Sequence, residues 1–144
     1  MRIARPLRAG IALTVAAASL VALAGCAPLD QKRILADVKH AVTAADPDLV
    51  GVDVEASKDG FANVLFVGVA VTDDTMDADR LRPLLTAAVD ARGATAFDHL
   101  TFAVFTPDFH GDLIDLRDDA ADLGVRAPDS SIRDDVDAIK KTLG

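Results

Sequence analysis

Beyond residue 30 the hydrophobic and polar positions follow periods that change along the chain, and each change marks an element. From Gln31 to Ala45, the residues Ile34, Leu35, Val38, Ala41, Val42 and Ala45 recur at spacings of three and four. That spacing predicts a helix that buries one stripe. Asp46-Pro47-Asp48 stops it, because the residue before a proline is pushed out of the helical region. Val50, Val52, Val54 and Ala56 then alternate with Gly51, Asp53, Glu55 and Ser57, the pattern of a strand wet on one face. Lys58-Asp59-Gly60 is the turn, and residues 61–72 are apolar on both faces, as in a central strand. Thr75 or Asp77 caps the next helix, with a start near Arg80 that would keep Pro83 in its first turns. Its stripe is Leu81, Leu84, Leu85, Ala88 and Val89, and Gly93 closes it. Residues 97–106 form a third strand. After Pro107 come a turn at His110-Gly111, the short piece Asp112–Leu116 and a helix ending near Gly124. Residues 127–144 predict a last helix, with Ser131 and Asp134 as a capping box and Ile132, Val136, Ile139 and Leu143 on one side.

The expected order is α-β-β-α-β followed by one or two helices. This is an α+β fold, a small two-layer sandwich with a sheet of three strands or four. In topology alone it resembles a ferredoxin-like sandwich lacking its first strand, and such a likeness carries no function. Successive strand side chains alternate, so Phe61, Leu65, Val67, Val69 and Val71 point away from Val64, Phe66 and Ala70. In the third strand Leu100, Phe102 and Val104 likewise oppose Ala103 and Phe105. The stripes that begin at Ile34 and Leu81 cover one face. For the other, the C-terminal stripe is the expected cover, with a second subunit or a ligand as the alternatives.

The first 25 residues are of another kind. Arg2, Arg5 and Arg8 precede an apolar stretch, Ala9–Gly25, that ends in small residues, which is the layout of a secretory signal. It is shorter than the roughly 20 residues a spanning helix needs. Leu23-Ala24-Gly25-Cys26 resembles the lipobox of bacterial lipoproteins. That resemblance implies cleavage between Gly25 and Cys26 and a diacylglyceryl group on the Cys26 thiol. Two acyl chains meet the requirement for stable anchoring. The alternative is ordinary cleavage after Ala22-Leu23-Ala24, which leaves the thiol free. The expected organisation is a cleaved signal over 1–25, a short lipidated tether over 26–30 and one α+β domain over 31–144. The domain would stand close to the outer face of the cytoplasmic membrane, held by Cys26.

Charge narrows the partners. No acid precedes Asp30, so setting aside Arg2, Arg5 and Arg8 leaves 12 of the 15 basic residues against all 23 acids. A body this acidic is repelled by nucleic-acid phosphates and by anionic head groups. With one cysteine there is no internal disulfide, and the domain must fold on its core alone. Neither Trp nor Tyr is present, which counts against a sugar-binding site built on aromatic stacking.

Candidate chemistry is sparse. Asp98, His99, Asp108, His110 and Asp112 are ligand types suited to Zn²⁺ or Mn²⁺. Of these, Asp108, His110 and Asp112 would converge only around a tight turn, where polar residues gather anyway. Asp73–Asp79 has the acids of a calcium loop but Ala78 at the glycine position and Leu84 at the bidentate glutamate position. No nucleophile elbow, phosphate loop, dinucleotide fingerprint or zinc-protease motif occurs. Ser57, Ser130 and Ser131 sit where a turn or cap wants serine. The expected function is a non-enzymatic, lipid-anchored accessory or binding domain that takes a protein partner or a small apolar ligand and needs no cofactor. The alternative is a metal-dependent enzyme or metal-handling protein using His99, His110 and nearby aspartates.

Overall fold

The computed structural model describes residues 16–107 and 112–144, with side chains from Asp30 onward. Two units divide between Gln31 and Lys32. Helix α1 (Ala16–Ala45) begins in the first, and the second, Lys32–Gly144, holds the rest of the fold. Residues 27–30, expected as a tether, are helical and continuous with the stripe helix. Cys26 falls within α1 but outside the residues whose side chains are described.

The strands are β1 (Gly51–Asp59), β2 (Ala62–Ala70), β3 (His99–Phe105) and β4 (Ile132–Asp135), which lie side by side in that order. β1 and β2 form an antiparallel hairpin, β3 runs parallel to β2, and β4 returns antiparallel to β3. The parallel step needs a crossover. Helix α2 (Ala78–Asp90) and a short 3₁₀ turn (Ala94–Ala96) supply it. Helix α3 (Arg117–Leu123) joins β3 to β4, and α4 (Val136–Leu143) ends the chain. The result is a small α+β domain with a four-stranded mixed sheet.

Local chemistry sets the element ends. Asp77 caps α2, its Oδ1 accepting the Arg80 N–H at 2.7 Å. The helix therefore starts at Ala78, earlier than expected, and Pro83 stands inside it. At the end of α1, Asp46 Oδ1 accepts the Asp48 N–H at 3.0 Å, while its Oδ2 lies 2.6 Å from Arg80 Nε. One aspartate thus turns the chain out of α1 and ties it to the start of α2. Gly93 has φ +84°, and a Cβ there would stand 2.6 Å from Ile34 Cγ1. Backbone conformation and the close approach of α1 both call for glycine.

The core lies on one side of the sheet. Val38 and Val42 of α1, Leu81, Leu84 and Leu85 of α2, and Val136 and Ile139 of α4 pack with Leu65, Val67, Val69, Leu100, Phe102, Val104 and Ile132. Burying a side chain of this size contributes about 1.5–3 kcal/mol.

Four expectations are corrected. Ile132–Asp135 is a strand and not the start of the last helix. The outer edge of β3 offers unpaired backbone groups, and this segment takes them, with Phe102 opposite Ile132 and His99 opposite Asp135. The capping box does not form. Asp134 instead accepts the Arg126 N–H at 3.1 Å, and Ser131 is buried. Phe61, grouped with Leu65, Val67, Val69 and Val71 on one strand face, does not share their burial and is fully exposed beside Gly60 at the hairpin tip. The C-terminal helix packs into the common core and does not cover the second face.

Candidate functional site

The second face of the sheet is built from four rows of residues fixed by strand register. Ser57, Val64, His99 and Asp135 lie in one row, and Glu55, Phe66, Thr101 and Arg133 in the next. The farthest row is Gly51, Ala70, Phe105 and Leu113, the last joined to Phe105 by an isolated bridge. Between the second row and the farthest lie Asp53, Gly68 and Ala103.

Size and burial vary across this face in a way that follows from the residues. Gly68, Ala70 and Ala103 are buried without belonging to the main core. A Cβ on Gly68 would stand 3.1 Å from Phe105 Cε2 and 3.2 Å from Phe66 Cε1, so the two rings lean over the small residues. Val64, Phe66, Thr101 and Phe105 are half-buried, and Leu113 is 45 % exposed. The two borders differ in charge. On β1 the outward positions include Asp53 and Glu55, both exposed, and on β4 they are Asp135 and Arg133, whose guanidinium lies 3.2 Å from Asp129 Oδ2.

At the hairpin end the face opens into a cleft of about 490 Å³ lined by Ser57, Val64, His99, Thr101, Arg133 and Asp135, among others. His99 Nδ1 lies 2.6 Å from Asp135 Oδ1, with both side chains about half exposed. Pairs so exposed contribute at most about 1 kcal/mol. Ser57 shares their row but is separated from His99 by Val64. Two strand spacings put it about 10 Å away, too far for imidazole to take its proton. The geometry is that of a polar rim and not of a nucleophilic triad.

The acids and imidazoles singled out in the sequence are drawn apart. Asp98 Oδ2 accepts the Asn63 N–H at 2.7 Å, and its own N–H donates to the Asn63 carbonyl at 2.9 Å. It aligns the start of β3 with β2 and turns away from His99's partner. Asp112 sits past the other end of β3, where its carbonyl accepts the Thr106 N–H at 3.4 Å. The length of β3 puts these two groups about 20 Å apart. Asp108 and His110 lie outside the described residues. Among the described residues, no group of three or more His, Cys, Asp or Glu side chains could hold a metal ion. In the calcium-like stretch, Asp77 caps α2 and Asp73 Oδ2 lies 3.1 Å from Arg80 Nη1.

Beyond β3, Asp112 borders a second cleft with Asp74, Asp115 and Asp119. Asp115 is held by Arg117, whose side chain and backbone N–H both donate to it and lower its pKa to about 2. Asp119 is pushed the other way, first by partial burial and then by Asp122, Asp77 and Asp118.

The sequence did not point to the His99–Asp135 pair, since it exists only because β4 exists. Residues 132–135 are Ile-Arg-Asp-Asp, with a single apolar position, so no alternation marked the strand. Among the described residues no helix is long and apolar enough to cross a membrane. No family model matches the chain, and no curated protein or solved structure matches it either.

Proposed function

We propose that this protein is a lipid-anchored, non-enzymatic binding domain on the outer face of a bacterial cytoplasmic membrane, engaging a protein partner across the second face of its sheet. The observation that carries the proposal is that face. Half-buried Val64 and Phe66 and half-exposed Leu113 lie on it, with charged residues on both borders, while the described helices contribute to the core on the opposite side. An apolar centre within a polar rim is the anatomy of protein interfaces. The lipobox-like Leu23-Ala24-Gly25-Cys26 supports the anchor, and diacylation supplies the two chains that stable attachment needs. The acidic body disfavours anionic lipid as the surface this face would engage.

The test is a photoreactive amino acid placed in the full chain at Phe66, with a second variant carrying it at Arg82, which is exposed on α2. In membranes from cells making the protein, the Phe66 probe should cross-link to protein and the Arg82 probe should not. Equal labelling at the two positions, or none at Phe66, would overturn the proposal.

A further inference from the structure

We infer that the occupant of this face is a second copy of the chain, related by a two-fold axis that runs along the strands between β2 and β3. The inference rests on the binding-domain assignment above and names its partner.

One register row is self-complementary in charge, and that row selects the axis. An axis parallel to the strands exchanges β1 with β4, so each copy's Glu55 stands over the partner's Arg133, and the reverse contact is made at the same time. Both residues lie in one register row, Glu55–Phe66–Thr101–Arg133, and both are exposed. Asp53, two positions along β1, presents a second carboxylate to the same border. The offset of about 30° between aligned sheets therefore still leaves an acid over the guanidinium, which holds its own chain's Asp129 at 3.2 Å through an exposed pair and keeps its other N–H groups for the partner. An in-plane axis perpendicular to the strands would lay β1 on β1 and β4 on β4, which sets acid against acid and Arg133 against Arg133.

Shape agrees with charge. Under the same axis Leu113 falls over Gly51 of the second copy, Phe105 over Ala70 and Phe66 over Thr101, so that large meets small in these two rows. Self-complementarity of this kind is what an isologous interface requires.

A further observation selects the same axis. Ile34, close to where the chain enters the second unit, lies against Gly93, just before β3 begins. The chain therefore enters at the end of the sheet where β3 starts. Rotation about an axis along the strands keeps the two points of chain entry, at Lys32 of each copy, at that same end, and both lipid anchors can then reach one membrane. The perpendicular axis would place them at opposite ends. Confinement to one surface raises the effective concentration of the copies, so a modest interface suffices.

The experiment uses the full chain extracted from membranes in detergent, with mass determined by sedimentation in density-matched solvent. The wild-type protein should be a dimer. Glu55→Arg alone and Arg133→Glu alone should each weaken it by roughly tenfold or more, because a symmetric dimer meets every reversal twice. Mixing the two variants should restore a dimer, since in the mixed pair each guanidinium again faces a carboxylate at both borders. Misfolded chains could not give that rescue. A monomeric wild type, unchanged single variants, or a mixture that stays monomeric would overturn the inference. If the Phe66 probe then still cross-links to a different protein, the binding-domain assignment stands and only the identity of its partner falls.

Discussion

Replacing Ile139 by alanine tests where the last helix lies, and with it which face of the sheet is covered. Ile139 is fully buried on α4 and shares the core with Leu85, Val67 and Phe102. The truncation removes three methyl or methylene carbons from a packed interior. The loss of transfer free energy and the cavity left behind together cost about 2–4 kcal/mol. At roughly 4 °C per kcal/mol for a domain of this size, the melting temperature should fall by about 8–16 °C. Lys141→Ala, at an exposed position on the same helix, serves as the control and should shift it by about 2 °C or less. Thermal unfolding of the detergent-extracted chain, followed by circular dichroism, measures both. Equal, small shifts for the two variants would refute the placement of α4 on the core side, and the second face would then need another account.

Other perturbations probe single features. Gly93→Ala meets both a positive φ and Ile34 Cγ1 at 2.6 Å, and should cost about 1–3 kcal/mol. Adding Ile34→Ala should return less than additive destabilisation in a double-mutant cycle, and strict additivity would contradict the contact. Arg80→Met removes the partner of Asp46, whose side chain is only 12 % exposed, and should cost about 1–2 kcal/mol by chemical denaturation. Asp115 has its folded pKa lowered from 3.8 to about 2 by Arg117. It therefore contributes stability that is present above its unfolded pKa and lost as pH falls from about 4 to about 2. Asp115→Asn should flatten the stability profile in that acid window and leave its shape near neutrality unchanged. Asp119 carries the opposite sign, because its pKa is raised by burial first and by neighbouring aspartates second. Asp119→Asn should stabilise the domain at neutral pH, and that gain should fade as pH falls through the folded pKa.

Long periodic segments were legible in the sequence. The stripe of α1, the alternation in β1 and the stripe of α2 each spanned enough residues to separate a period of 3.6 from a period of two, while β2, apolar on both faces, was legible from its short length and the turn before it. β4 did not. Its four residues hold one apolar position, and Ile132, Val136 and Ile139 fall at helical spacing, so only the open edge of β3 makes the segment a strand. The cover of the second face was also misjudged, for a reason of volume. An apolar strand face reads as a surface in need of a second layer, but Gly68, Ala70 and Ala103 are small. Phe66 and Phe105 lean over Gly68 from the same face, so no C-terminal helix is required there. The rim pair His99–Asp135 was illegible because its partners are 36 positions apart and meet only through that short strand.

In the proposed function the anchor would set where the domain works, and the mass of the N-terminal peptide tests that proposal most directly. Protein extracted from membranes, digested and analysed by mass spectrometry should yield a peptide that begins at Cys26 with a diacylglyceryl group on its sulfur. An unmodified peptide beginning at Gly25 or Cys26, or one that still carries Met1, would contradict the assignment.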